Sequence, residues 1–331
     1  MLIRTFKKGF HWLAFLLVPL GILMWVDRFF AYQSLTIGRE SDAPLYLLLV
    51  NGLDTIPILQ VIFGFGMVFL QALLVNGICQ TNNLTGKQTW LPGFFYLVLM
   101  SSDPALLSFH PVIPANLFLI LALSRLMVIL DQKEHVIDLF NLGALVSIAG
   151  LFYYPALLFL AWLLIVVGQY LLASFRSVVA SVMGFLAPIF FLGTFWFLTD
   201  RLAYEVGTIF GHFDLFLIFE GPLFPYTRMF IILLGLLTIL SIIRLRVVYL
   251  SDKPVRIRKR FGILLYFFIF SLLSFLLSRD YFDVHHAFLM IPLSVILSVF
   301  FLEMKKKWLA ELLFYALLAS IILGKFGLTG I

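Results

Sequence analysis

Two aspartates, Asp42 and Asp103, and the group Arg279, His285 and His286 are the side chains in this sequence best placed to do chemistry. Asp42 belongs to Glu40-Ser41-Asp42-Ala43-Pro44-Leu45-Tyr46, and Asp103 ends an apolar run at Ser101-Ser102-Asp103-Pro104. Each stands where an apolar segment meets a polar one. Two carboxylates brought within about 10 Å of each other can share a divalent cation or work as a base and its orienting partner. Arg279 lies between Ser278 and Asp280, at the edge of a long apolar run. A guanidinium there can bind a lipid phosphate through two parallel hydrogen bonds while the lipid tail stays in hydrocarbon, with His285 or His286 beside it. The competing explanation is a local ion pair with Asp280 or Asp283, worth at most about 1 kcal/mol when exposed. The remaining acids and histidines of these polar segments (Asp27, Glu40, Asp54, His110, His212, Asp214 and Glu220) have the plain explanation that loops are polar because they are wet.

The elements that must position these groups are apolar. Of 331 residues 63% are hydrophobic, 17% aromatic and 12% charged, with a mean hydropathy of +1.08. A soluble domain of this length would carry far more charge, so nucleic-acid-binding modules, cytosolic enzymes and disordered scaffolds are excluded. The single cysteine, Cys79, excludes an internal disulfide and any multi-cysteine metal site.

A membrane span needs roughly 17 to 25 apolar residues. About eleven such stretches run from Phe10 to Val26, Ile56 to Cys79, Thr89 to Ser102, Val112 to Leu130, Val136 to Tyr154, Pro155 to Ser174, Val178 to Leu198, Met229 to Val248, Gly262 to Ser278, Ala287 to Leu302 and Trp308 to Gly324. The stretch from Val136 to Ser174 would make a helix of about 58 Å, too long for one crossing, so Tyr153-Tyr154-Pro155 is expected to reverse it as a hairpin. The third stretch is interrupted early by Ser101 to Pro104 and is expected to be short or partly re-entrant. With the N-terminus in the cytoplasm, 17 of the 23 Lys and Arg fall on the cytoplasmic side and 6 outside, which sets the orientation as N-in and C-out. The expected architecture is all-α: one polytopic transmembrane domain over residues 1–331, in the bacterial inner membrane. Short interfacial helices are expected on the outer face, one from Pro44 to Val50 and one from Phe213 to Phe219. Charge inside the spans is scarce. Gln60, Gln71, Asn116, Asn141 and Gln169 read as hydrogen-bonding glue between helices, and Arg244 to Arg260 reads as a basic anchor for anionic lipid.

The order of these features resembles the GT-C class of polytopic glycosyltransferases. An N-in helix leads to an acidic outer loop containing Glu40, Asp42 and Tyr46. "LFNLGALVSIAGLFYYPALLFLAWL" from Leu139 to Leu163 is similar to the glycine-bearing helix and proline hairpin of that class, with Tyr153-Tyr154 where many members carry Lys-Gly. "RDYFDVHHAFLMIPLSVIL" from Arg279 to Leu297 is similar to its late outer loop. The adjacent acidic pair usual in the class is missing. The resemblance implies a polyprenyl-phosphate-linked sugar donor, a catalytic role for Asp42 with Asp103, and a lipid-phosphate role for Arg279, His285 and His286. The chain more closely resembles a family of multi-pass inner-membrane proteins of Bacteroidota without an assigned activity. Three functions stay open: an envelope glycosyltransferase, a non-catalytic membrane subunit of an envelope assembly or secretion complex, and a small-molecule or lipid transporter. The expected partners are membrane lipids, polyprenyl phosphate among them, and envelope proteins, with no nucleic acid.

Overall fold

Helices in this chain start where proline allows them to. Pro57, Pro92, Pro104 and Pro155 each stand in the first turn of a helical element, where a missing N–H costs nothing. The computed structural model describes residues 6–7, 13–30, 42–53, 56–130, 136–170, 174–211, 225–249, 251–275, 282–304 and 306–327, and among the described residues there is no strand. In chain order the helices are α1 (Leu13–Phe30), α2 (Pro44–Leu53), α3 (Pro57–Thr81), α4 (Leu91–Met100), α5 (Val112–Ile129), α6 (Val136–Phe152), α7 (Phe159–Tyr170), α8 (Phe175–Leu198), α9 (Leu202–Gly211), α10 (Pro225–Arg244), α11 (Val255–Phe275), the single turn α12 (Phe282–His285), α13 (Ala287–Glu303) and α14 (Lys307–Gly327). Short 3₁₀ turns cover Pro104–Leu107 and Tyr154–Leu158, and a π-helical turn covers Leu245–Tyr249.

Four helices are long and apolar enough to cross a membrane: Ile58–Thr81, Val112–Ile129, Phe175–Leu198 and Phe230–Val247. The chain is a helical membrane protein. At the centre lies α4, all ten of whose residues are buried. Its length is about 15 Å, half the thickness of a hydrocarbon core, because Trp90 and Ser101 bound it on either side. The third expected span is therefore a short interior helix, and the early polar break at Ser101 is its cause. Helix α13 packs antiparallel beside it, nearly as buried, with Phe95 stacked on Phe301 at 5.1 Å and α14 adding Phe314 against Phe94 at 5.3 Å.

Where lipid is the surrounding medium, helices gain little from hiding apolar surface and associate through close packing and hydrogen bonds instead. Both devices appear here. Gly143 of α6 lies against the Ser181 carbonyl of α8, and Gly184 of α8 against the Phe140 carbonyl of α6, so closely that a Cβ at either glycine would collide with backbone. Gly150 similarly receives Leu157 across the Tyr153–Pro155 reversal, where Tyr153 is extended (φ −153°) and breaks the helix as expected. Gln71 donates to Ile113 O at 2.7 Å and accepts from the Tyr96 hydroxyl at 2.6 Å, while Asn116 donates to Ala287 O at 3.1 Å. These are the interhelical polar contacts expected of Gln71 and Asn116; Asn141 and Gln169 are exposed instead.

The helix termini gather at two ends. At the basic end Arg260 donates to Asn82 O (2.9 Å), Tyr249 to Leu84 O (2.5 Å) and Arg244 to Glu303 O (2.6 Å), and Arg125 holds Asp138 at 2.7 Å. Arg260, expected as part of a basic anchor for anionic lipid, is buried. The opposite end carries the candidate site. Helix α2 is the expected helix at Pro44, extended to Leu53 with Tyr46 and Val50 buried. The expected helix from Phe213 to Phe219 lies outside the described residues; the described helix of that region is α9, which follows Asp200 in the left-handed region (φ 57°).

Candidate functional site

The segment from Ser101 to Pro111 is the floor of the site, and four elements pin it. Trp25 donates its indole N–H to Ser101 Oγ at 3.1 Å, and Arg28 donates to Pro104 O at 2.9 Å, both from α1. From α2, Tyr46 donates to Phe109 O at 3.1 Å, and its ring sits 5.7 Å from that of Phe109. From α3, Phe63 packs edge-on to Phe109, and the Phe109 backbone runs past Gly64. The turn Pro104–Leu107 in turn packs against α12, which brings His285 and His286 to the same end.

Asp103 caps this turn. Its backbone is extended, and Oδ1 accepts from Ala105 N at 2.9 Å, satisfying a donor that the turn itself cannot. Asp42 is buried, just ahead of α2, and its carboxylate and that of Glu205 are within electrostatic range of the Tyr154 phenol. The residues expected to pair, Asp42 and Asp103, thus belong to elements that meet through Tyr46 and Phe109, one carboxylate buried and the other engaged in capping. Among the described residues no three His, Cys, Asp or Glu come together as a metal-ligand set.

His285 is fully buried between two partners. Tyr153 Oη lies 2.7 Å from Nδ1 and Ser274 Oγ 2.8 Å from Nε2, tying the α6–α7 reversal and α11 to α12. Burial, with the His286 charge adding to it, pushes this imidazole down to about 3, so it is neutral at any ordinary pH. His286 is half-buried and precedes α13. His110, one residue ahead of Pro111, is 1% exposed, and neither ring nitrogen has a hydrogen-bond partner among the described residues. Burial and then the His286 charge push it down to about 3 as well. Arg279, Asp54, His212, Asp214, Glu220 and Asp280 lie outside the described residues.

The Tyr153–His285–Ser274 link is not visible in sequence, since its partners are 132 and 11 residues apart. His110 has one sequence signal, a histidine between Phe109 and Pro111 in an otherwise apolar stretch.

Comparison with known protein families, curated proteins and solved structures returns no match for this chain.

Proposed function

We propose that this chain is a GT-C-like envelope protein of the bacterial inner membrane that binds a polyprenyl-phosphate-linked sugar at its outer face. In this reading it crosses the membrane eleven times from a cytoplasmic N-terminus, and the end holding Asp42, His110 and His285 faces outward. The observation that carries the reading is the burial of Asp42 at the end where α2, the Asp103 turn and α12 converge. A carboxylate out of water is costly to hold and is a useful general base. Asp42 would take the proton of an acceptor hydroxyl as its oxygen bonds to the anomeric carbon and the polyprenyl phosphate departs. Arg279 and His286 would hold the departing phosphate, and His285 would position them.

The test is transfer from a polyprenyl-phosphate sugar by purified protein in nanodiscs, with Asp42→Asn as the comparison. The reading expects turnover that falls at least about a hundredfold in Asp42→Asn, the usual scale for losing a general base. Turnover unchanged in that variant removes Asp42, and absence of both binding and turnover removes the reading.

A second reading, a non-catalytic subunit of an envelope assembly, is favoured by how Asp103 and His285 are used. One carboxylate is engaged in a cap and one imidazole is bonded at both nitrogens, which are structural employments. A stoichiometric protein partner after gentle purification, with no lipid turnover, supports it.

A further inference from the structure

We infer that the junction between the last turn of α7 and the first turns of α11, at the basic end, binds the headgroup of one anionic phospholipid, with Arg246, Arg258 and Lys259 on its phosphate and the Tyr170 hydroxyl beside it. The inference concerns the end opposite the candidate site and is independent of the reading above. The run from Arg244 to Arg260 contains seven basic residues and one acid, Asp252. The structure divides that charge. Arg260 and Arg244 donate to the carbonyls of Asn82 and Glu303, and Lys253 lies over the Tyr249 ring at 4.6 Å, so these three are occupied within the fold. Arg246, Arg258 and Lys259 are exposed, and among the described residues they form no hydrogen bond or ion pair.

Three elements bring these cations to one place. Tyr170, at the end of α7, sets its hydroxyl against Gly262 of α11, so closely that a Cβ there would collide with the oxygen, and its ring lies 6.4 Å from that of Tyr266. Arg258 and Lys259 stand one turn before Gly262 on the same side of α11. Arg246 comes from the π-helical turn, whose Leu245 and Tyr249 are buried, and its charge is within electrostatic range of the Tyr170 phenol. The junction is open to a ligand: Gly168 and Gln169 beside Tyr170 are exposed, and Tyr170 and Tyr266 are half-buried.

The surroundings specify the ligand. The apolar span Phe230–Val247 ends one residue after Arg246, so these cations stand at the hydrocarbon boundary. One stripe of α11 runs from Arg258 through Gly262 and Tyr266 to Ile269 and Leu273, the last two exposed and apolar. Cation, phenol and hydrocarbon in that order match a phospholipid read from phosphate through glycerol to acyl chain. An acidic peptide or a free phosphate would match the charge and not the apolar continuation. A zwitterionic headgroup would bring its own ammonium to three cations, whereas a headgroup with net negative charge neutralises them. Arginine binds phosphate through two parallel hydrogen bonds, and the Tyr170 hydroxyl can donate another.

The test titrates purified full-length protein with lipid under native mass spectrometry. The probes are phosphatidylglycerol, phosphatidylcholine with the same acyl chains, the tail-free headgroup glycerophosphoglycerol, and inorganic phosphate. Each is measured against wild type, Arg246→Gln, the double variant Arg258→Gln/Lys259→Gln, Tyr170→Phe and Lys253→Gln. Wild type should bind its first phosphatidylglycerol about tenfold or more tightly than phosphatidylcholine. Arg246→Gln, the double variant and Tyr170→Phe should each lose about fivefold or more of that affinity, the scale of one headgroup contact. Lys253→Gln removes the same charge as Arg246→Gln from the same run and should change it less than about twofold. Tyr170→Phe removes no charge, so its loss separates a site from a diffuse positive surface. Equal affinity for the two lipids overturns the inference. So does a loss in Lys253→Gln as large as in Arg246→Gln together with an unchanged Tyr170→Phe, which would mean a diffuse surface field only. Glycerophosphoglycerol or inorganic phosphate binding as tightly as the lipid overturns the phospholipid and leaves a free anion as the ligand.

Discussion

Tyr153 Oη and His285 Nδ1 lie 2.7 Å apart, and the direction of this hydrogen bond follows from the contact at the other ring nitrogen. Ser274 donates its one hydroxyl proton to Ser271 O at 2.9 Å, so at its 2.8 Å contact with His285 Nε2 it must accept. The ring proton is then on Nε2, and Nδ1 accepts from the Tyr153 hydroxyl. Nitrogen NMR of labelled protein should show His285 as the neutral Nε2–H form. Tyr153→Phe should strand Nδ1 and lower stability by about 1–3 kcal/mol. A resonance from the Nδ1–H form, or a Tyr153→Phe variant as stable as wild type, contradicts the assignment.

The two buried histidines predict acid lability. Both are held near 3 in the folded protein, against about 6.5 when unfolded, so between those values the unfolded state binds more protons than the folded one. Stability is complete above about pH 6.5 and is lost as pH falls toward 3, by up to about 1.4 kcal/mol per pH unit for each histidine. Melting of the ligand-free protein across that range should show the slope, and His110→Phe should remove about half of the histidine contribution. A Tm that is flat from pH 7 to pH 4 would falsify the prediction.

The α6–α8 crossing depends on two glycines that face each other's backbones. Adding a side chain at Gly143 or Gly184 forces the helices apart, because what it meets is carbonyl and amide rather than a flexible side chain. Gly143→Leu and Gly184→Leu should each destabilise by about 1–3 kcal/mol or more, the range for overpacking. Gly168 and Gly193, with nothing within 4 Å of an added Cβ, serve as controls and should tolerate alanine. Loss of folded protein in the controls as well would show that the crossing is not the reason.

Much of this architecture could be read in the sequence because the features that place helices are local. Pro57, Pro92, Pro104 and Pro155 announce helix starts, and Tyr153-Tyr154-Pro155 announces a reversal, all within a few residues of the effect. The interior role of α4 was legible only in part: Ser101 to Pro104 shortened it, but its complete burial depends on α13, almost two hundred residues away. For the site the balance is reversed. Asp42, Asp103 and His285 could be found by residue type, yet what each does depends on partners in other elements. Ala105 N turns Asp103 into a cap, and Tyr153 with Ser274 turns His285 into a brace. Arg260 and Arg258 show the same limit: two members of one basic run, two residues apart, one buried on Asn82 O and one exposed.

Asp103 offers the cleanest separation of structure from chemistry. A cap requires an acceptor oxygen and no charge, so Asp103→Asn and Asp103→Ser should both preserve the Pro104–Leu107 turn, while Asp103→Ala should cost about 1 kcal/mol. A carboxylate that works as a base or metal ligand makes the opposite demand, since asparagine keeps the shape and loses the function. Measuring Tm and polyprenyl-phosphate sugar turnover on the same three variants therefore reads the two roles independently. The hydrogen bond to Ala105 N predicts stability in the order wild type, Asn and Ser together, then Ala. If Asp103 is only a cap, turnover follows that order as well, and Asp103→Asn behaves as wild type. A fully stable Asp103→Asn protein without turnover would instead assign its carboxylate to the reaction, with Asp42 as its partner.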